Sequence, residues 1–326
     1  MSSNVAVSSR IRLARNLSGY PFPNRLSDSG KAEVVEKVKE AVESLSTKLM
    51  FVELSDLSQN SLVAMVERHL ISPEFAGSTK GRALAVSEDE SISIMINEED
   101  HLRIQVIKPG LALKEAYEIA DRIDTELSAK LQIAFDKNLG YLTQCPTNLG
   151  TAMRASVMMH LGALTESKSV GRIAANLQKL GFVIRGSYGE GSDAPSSMYQ
   201  LSNQVTLGLS EQTAIDNIEN IVEKLMETEQ STLESLMNSM EYQDKISRSM
   251  GILLTARLIS FSEAVKLLSN VRMGISQGII DNTTVETVDK LIVMIQPASL
   301  MQAEGKDLTP AERDKVRAEV IKKTLR

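Results

Sequence analysis

The feature that most limits how this chain can fold is a change of hydrophobic period near residue 211. Upstream of it, short apolar runs at Ala83 to Val86, Ser91 to Ile96 and Leu102 to Ile107, bounded by turn residues, predict strands of one sheet with antiparallel pairing. Further strands are expected near 139–143, 182–186, 198–201 and 203–207. Helical spacing recurs between them: Val34, Val35, Val38, Ala41, Val42 and Leu45 predict a helix over 31–49, and others are expected at 61–70, 112–132 and 168–180. Residues 1–29, punctuated by Gly19, Pro21 and Pro23, read as irregular. From 211 to Arg326 the strand patterns vanish and helices follow, interrupted by Gly251, Gly274, Gly278 and Pro297. Strands grouped apart from helices imply an α+β class, with an antiparallel sheet flanked by helices and then an all-helical domain. The boundary is placed near 240, giving 1–240 and 241–326, and a chain of 326 residues is long enough for both cores.

Charge and cysteine content exclude several functions. A formal net charge of -6 is the wrong sign for a protein whose task is to neutralise nucleic-acid phosphates, and it suits basic partners. No apolar run approaches the roughly 20 residues that span a bilayer, so no membrane is expected. One cysteine, Cys145, forbids an intramolecular disulfide, and no signal-peptide apolar core precedes the first arginines, so a reducing cytoplasm is expected.

Four segments hold residues fit for chemistry. In Ser8-Ser9-Arg10-Ile11-Arg12-Leu13-Ala14-Arg15, alternation places Arg10 and Arg12 on one side of an extended chain, as an anion site or as a solvated basic strand. Asn97-Glu98-Glu99-Asp100-His101-Leu102-Arg103 crowds carboxylates, an imidazole and a guanidinium into one turn, which is either a plain polar turn or a fixed constellation beside the buried SISIMI strand. The thiol of Cys145 opens the loop CPTNLGTAMR, which ends at Arg154; a lone cysteine is either inert core or part of a site. Finally, Arg185-Gly186-Ser187-Tyr188-Gly189-Glu190 ends a strand in a glycine-rich loop that fits neither GxGxxG nor GxxxxGK[ST].

Together the spans SSRIRLARNLSGYPFP, NEEDHLRI, CPTNLGTAMRASV and RGSYGEGS resemble the phosphagen (guanidino) kinase family in type, order and approximate spacing over roughly residues 7–240. HLIS at 69–72, RASVMMHL at 154–161 and QLSNQVTLG at 200–208 are closer to the bacterial members that act on arginine in proteins than to the small-molecule enzymes. The helical tail adds Arg313-Asp314-Lys315-Val316-Arg317-Ala318, similar to the RDxxRA phosphoarginine-binding motif of those same members; on a helix Arg313 and Arg317 share a face. As a bare pattern it is also what a solvated charged helix looks like. The small-molecule enzymes carry a helical domain ahead of the SxRxR segment, which here starts at Ser8, and an open site for a protein-borne arginine is therefore expected.

The resemblance implies the guanidino-kinase catalytic fold, ATP with Mg2+, and phosphoryl transfer to arginine side chains of proteins. It assigns Glu99 as base and guanidinium clamp, Glu190 as second carboxylate and Cys145 as a neighbour of the guanidinium. ATP contacts are implied at Ser8, Ser9, Arg10, Ile11, Arg12, His69, Arg103, Arg154, Ala155, Ser156, Val157, Met158, Arg185, Gly186, Ser187, Tyr188, Gly189 and Glu190, with no dedicated metal-binding residues. Tyr188 stands where small-molecule arginine kinases have a basic residue. Phosphoarginine binding falls to Arg313, Asp314, Arg317 and Ala318. Implied partners are a zinc-binding activator protein, a heat-shock repressor as substrate, a Clp ATPase and protease that takes marked proteins, and a second copy of the chain. The competing expectations are a kinase for free arginine or another small guanidino compound, and a non-catalytic adaptor that reads phosphoarginine.

Overall fold

The computed structural model describes residues 4–187, 194 and 196–326. Its strands are β1 (Ala6–Arg15), β2 (Met50–Glu53), β3 (Ala83–Val86), β4 (Ile92–Ile96), β5 (Leu102–Pro109), β6 (Phe135–Asp136), β7 (Gly140–Tyr141), β8 (Met153–His160), β9 (Phe182–Gly186) and β10 (Met198–Asn203). Its α-helices are α1 (Asp28–Glu43), α2 (Gln59–Glu67), α3 (Pro73–Ala76), α4 (Leu113–Ser128), α5 (Gly162–Glu166), α6 (Val170–Lys179), α7 (Glu211–Met237), α8 (Met240–Thr255), α9 (Phe261–Ser276), α10 (Val285–Met294), α11 (Pro297–Glu304) and α12 (Pro310–Leu325). Eight strands form one sheet in the order β2-β3-β4-β5-β1-β8-β10-β9, and β6 pairs with β7 in a small hairpin. The pairs β2–β3, β3–β4, β4–β5 and β5–β1 are antiparallel.

Two expectations fail in instructive ways. Residues 6–15, read as irregular, form the ten-residue strand β1, and Met50–Glu53 and Met153–His160 are strands that the sequence reading did not identify. In β1 the arginines mask the alternation, because a strand with one face on the core and one polar face looks like a charged loop when the polar face carries guanidinium groups. Conversely, 203–207 is not a separate strand: β10 ends at Asn203, whose amide is spent on Ala155 N, Met153 O and Val205 O.

Packing divides the chain into two units. The first contains 8–157 and 202–220. Here β3 and β4 are buried along their whole length. One face of the sheet packs against α1 and α4, and the other meets the cluster of Leu54, Leu62, Leu70, Ile71, Phe75 and Met95 under α2 and α3. The parity of β1 follows: Ile11, Leu13 and Arg15 lie opposite Val106, Ile104 and Leu102 and are buried, while Arg10, Arg12 and Ala14 lie opposite Ile107, Gln105 and Arg103 on the other face. Arg15 is thus the one arginine of its segment that enters the core, where its fork meets Asp124 of α4 at 2.7–3.0 Å and its plane stacks on Tyr141 at 3.4 Å. At Gly150, φ is +98°, and an added Cβ would lie 2.3 Å from the Thr206 carbonyl oxygen, so only glycine lets the 145–150 loop pass the 204–209 segment.

The second unit contains 1–7, 158–201 and 221–326. The ends of β1 and β8, through Val7 and Met158, and the end of α7, through Leu233 and Met237, pack into the core of α8, α9, α10 and α12. Three buried polar groups organise it. Arg272 grips Asp289 with two bonds of 2.7 and 3.0 Å, and His160 Nε2 lies 2.8 Å from Ser269 Oγ. The Glu229 carboxylate accepts the N–H groups of Ala163 (2.7 Å) and Leu164 (2.9 Å) at the start of α5. Burial pushes the Glu229 carboxyl up to about 7, against the pull of those N–H groups and of Arg272.

Asp124→Ala leaves the Arg15 guanidinium buried and unpaired, and urea unfolding is expected to show a loss of about 3–5 kcal/mol. Glu229 binds a proton in the folded state that the unfolded chain releases at ordinary glutamate values, so its contribution is present at low pH and lost as pH rises to about 7. Comparing unfolding at pH 5 and pH 8 is expected to show Glu229→Gln losing much of the parent's decline in stability.

Candidate active site

Four arginines of the first unit converge on the open face of the sheet: Arg10 and Arg12 from β1, Arg103 from β5 and Arg154 from β8. Burial, then the neighbouring Arg103 and Arg154, bring the Arg10 guanidinium down to about 10. Arg12 is held well below its ordinary value by burial and by Arg10, Arg103 and Arg154, with Glu98 the carboxylate that opposes them. The Arg12 Nε is buried and has no hydrogen-bond partner among the described residues. Like charges gathered in a half-buried place, with a donor left over, make a receptor for a polyanion. His69 sits beside this group in left-handed conformation (φ 62°) just past the end of α2. Its N–H reaches Val66 O and the next N–H reaches Met65 O, closing a Schellman turn, while its carbonyl accepts from Gln105. Burial and Arg10 bring its imidazole down to about 4, so it is neutral near pH 7.

The turn between β4 and β5 is fixed from every side. Asn97 has φ 61°, and its amide donates to Lys31 O and Gly81 O. Asp100 accepts from the Asn16 amide at 2.6 Å and Gln144 N at 2.8 Å, while Asn16 Oδ1 accepts His101 N. The His101 ring accepts Leu17 N through Nδ1 and lies 3.0 Å from Pro21 O through Nε2. Glu98 is buried and spent: it accepts from Arg103 (2.6 Å), Ser72 (2.7 Å) and Glu99 N (2.9 Å). Burial works against its charge, yet Arg103, the Glu99 N–H, Ser72 and Arg82 outweigh it and keep the carboxyl below the usual range. Glu99 is the exposed carboxylate of the turn and accepts no hydrogen bond from the described residues. Burial of part of the side chain, then Asp100 and Glu98, raise its carboxyl above the usual range, with Arg103 and Arg154 pulling the other way.

A cleft of about 220 Å3 is lined by Arg12, Arg103 and Arg154, by Glu98, Glu99 and Asp100, and by Cys145, Thr147 and Asn148. Cys145 Sγ lies 3.0 Å from Thr147 Oγ1, and the loop is braced by Thr143 Oγ1 on Cys145 O. A larger hollow of about 510 Å3 near Tyr20 and Lys37 lacks such a convergence of charge. The sequence reading did not single out Glu98 as the partner of Arg103, nor Asp100, Asn16 and His101 as the frame for Glu99. The signal was present in the density of acceptors and donors at 97–103, but pairing across 84 or 85 residues is not visible in spacing.

Several expected contacts have no side chain to offer the cleft. Ile11, Ala155 and Val157 are fully buried, and Ser9 is spent between Gly110 O and Ala112 N, because strand alternation turns every second residue into the core. Ser8 precedes Arg10 on its face, and Ser156 is buried in β8. In the second unit, Arg185 is exposed on β9, Ser187 bonds Met198 O through its N–H and lies 3.2 Å from Met158 Sδ through Oγ, and Gly186 ends the strand. Tyr188, Gly189 and Glu190 lie outside the described residues. The RDKVRA segment lies on α12, and its two arginines differ. Arg317 is 1% exposed, donates to Ile295 O at 2.9 Å and Ile259 O at 3.0 Å, and pairs with Asp314 at 2.6 Å. It is a buried cap on the end of α10, next to Ala318, which is also core, so the two arginines expected on one helical face differ in accessibility. Arg313 remains at the surface, with one bond to Leu308 O.

Clustered guanidinium groups sharing a small cleft with a carboxylate that accepts no hydrogen bond from the described residues can hold a polyphosphate near a cationic nucleophile. The comparisons agree in kind. The profile of ATP:guanido phosphotransferase, C-terminal catalytic domain, matches residues 33–232, and that of the protein-arginine kinase McsB C-terminal domain matches 239–326. Proteins named protein-arginine kinase from Symbiobacterium thermophilum and Halothermothrix orenii are each 44% identical over 99% of this chain, spanning 94% and 93% of their own lengths. Among solved structures, the substrate-free duplicated taurocyamine kinase of Schistosoma mansoni superposes with a TM-score of 0.61 at 30% identity, over 69% of this chain and 33% of that one. A lombricine kinase gives 0.61 at 25% identity, over 70% and 67%. The chain belongs to the ATP:guanido phosphotransferase family and continues into the C-terminal domain found in protein-arginine kinases.

Proposed function

We propose that this protein transfers the γ-phosphoryl group of ATP to the guanidinium of arginine side chains in other proteins. The observation that carries the reading is Glu99, a carboxylate on a braced turn that accepts no hydrogen bond from the described residues and lines one cleft with Arg12, Arg103 and Arg154. The crowded arginines, with the unpartnered Nε of Arg12, fit a triphosphate, and Mg2+ would arrive held by phosphate oxygens and water. Bound ATP supplies the transferable phosphoryl group, and the remaining work is alignment and charge neutralisation. Arg10, Arg12, Arg103 and Arg154 perform the neutralisation. The guanidinium nucleophile ionises only above about 12, so it needs a partner that orients it and accepts a proton. Glu99 fills that role: with no competing donor it is free to clamp two guanidinium N–H groups, and its raised proton affinity makes it a better base than an ordinary glutamate. Glu98 holds Arg103 in place from behind. Cys145 stands at the cleft wall, where the nucleophile would pass.

Relatives named for protein arginine over nearly their whole lengths favour this reading over a kinase of free arginine, and an intact, braced base favours it over a non-catalytic adaptor. On the family resemblance alone we further assign marking of substrates for Clp-type proteolysis, control of a heat-shock repressor, a zinc-binding activator and pairing of two copies. Phosphoarginine recognition by the tail is retained with Arg313 and Asp314 as its contacts and Arg317 as their support.

Glu99→Gln is expected to lower kcat by about 10^2-fold or more while leaving ATP affinity within a few-fold of the parent. Phosphoarginine detected by mass spectrometry at neutral pH, together with nucleotide titration, checks both, and near-normal turnover removes Glu99 as base. Because the base acts only when ionised, kcat/KM should rise with pH along an acid limb above the ordinary glutamate range, and Glu99→Gln should abolish that limb. Arg313→Ala should weaken binding of phosphoarginine peptides with the melting temperature unchanged, whereas Arg317→Ala should lower the melting temperature by several degrees, since it strands buried carbonyls.

A further inference from the structure

Beside the catalytic cleft the first unit leaves apolar side chains in the open. Leu139 (43% exposed), Val205 (46%), Leu207 (49%) and Leu209 (39%) are far more exposed than Thr206, which is buried between them. Leu139 and Leu207 belong to separate segments that meet at Gly150: Gly150 N donates to Leu139 O at 2.8 Å, and a Cβ built on Gly150 would stand 2.7 Å from Leu207 Cα. Phe135, 59% exposed, continues the patch through its edge contact with Tyr141, whose N–H bonds Gly150 O. The patch is stapled to the catalytic loop. Thr206 Oγ1 donates to Thr147 O (3.0 Å) and Leu149 O (2.7 Å), and Thr151 N bonds Thr206 O, so the ridge and the cleft wall bearing Cys145, Thr147 and Asn148 move as one body.

Exposed apolar side chains on segments brought together by specific bonds mark an interaction site rather than unspent core. Its place decides the occupant. Any polypeptide that delivers an arginine side chain to Glu99 must run its neighbouring residues past the cleft, and this ridge is bonded to the loop that forms one wall of it. The geometry points to Leu139 and Leu207, flanked by Phe135, Val205 and Leu209, as a docking surface for the residues next to the target arginine. The partner it fits is an extended chain with leucine- or phenylalanine-like side chains close to that arginine, a pattern that folded proteins bury and unfolded ones display. This deepens the reading proposed above and rests on it: the cleft chooses the arginine, and the ridge chooses its context.

The test uses the full chain and two synthetic peptides with one central arginine, flanked by leucine and phenylalanine in one and by serine and glycine in the other. The parent is expected to show a KM about tenfold lower for the apolar-flanked peptide at similar kcat, the size expected when a leucine-sized contact leaves water. Leu139→Ser with Leu207→Ser should erase that preference and leave the polar-flanked peptide's KM and kcat unchanged. Equal KM values in the parent overturn the proposal without any variant. So does a double variant that folds, by circular dichroism, and keeps the preference. If sedimentation shows the double variant losing a self-associated species while the preference persists, the ridge is a contact between copies and the proposal falls. Phosphorylation of neither peptide by the parent overturns the functional reading itself, which is a different result from phosphorylation without preference.

Discussion

The site exists because a sheet can hold like charges together on one face while the other face keeps them from separating. Arg10, Arg12, Arg103 and Arg154 repel one another, and each has given up part of its hydration. What overcomes this is the core beneath: Ile11, Leu13, Ile104 and Val106 are fully buried under α4, and Arg15 is locked to Asp124 there. Burying such side chains is worth about 1.5–3 kcal/mol each, and this burial opposes the cost of crowding the guanidinium groups. The binding face is in effect a strained charge distribution maintained by hydrophobic packing one side chain away, ready to be relieved by an anion.

The division of labour among the carboxylates follows the same logic. Glu98, Glu99 and Asp100 are neighbours in the chain, yet the turn sends them to three environments. Glu98 goes inward to Arg103 and Ser72, and Asp100 goes to the Asn16 amide and Gln144 N. Among the described residues, Glu99 alone of the three accepts no hydrogen bond at the cleft. Its proton affinity rises because part of the side chain is buried and because two acidic neighbours, Asp100 and Glu98, oppose its charge, a common way for proteins to tune a base. The bracing by Asn97, Asn16 and His101 matters for chemistry as much as for folding, since a base that wanders loses alignment.

In the second unit the buried polar groups serve architecture. Arg272 with Asp289, Glu229 with the start of α5, and Arg317 with the end of α10 each satisfy helix ends or bury a charge beside its opposite. Arg317 shows how a motif divides into a supporting member and a presenting one: the same i, i+4 spacing that gives two arginines one helical face also places the second a turn deeper, against the carbonyls of Ile295 and Ile259.

Much of this was legible in the residues. The α+β class, the β3-β4-β5 meander, the helical tail and the chemistry-bearing segments followed from periodicity and from four motifs in order. What the sequence by itself determined is the set of groups available: which guanidinium groups, carboxylates and thiol exist, and that Arg10 and Arg12 alternate with core residues. Tertiary structure decided their states. It hid β1 behind its own arginines, sent Arg15 to the core while Arg10 and Arg12 stayed at the cleft, spent Glu98 and spared Glu99, and sank Arg317 while leaving Arg313 outside. The physical reason is that protonation, pairing and accessibility depend on neighbours brought from far along the chain, such as Asp124, 109 positions from Arg15, and local spacing carries no record of them.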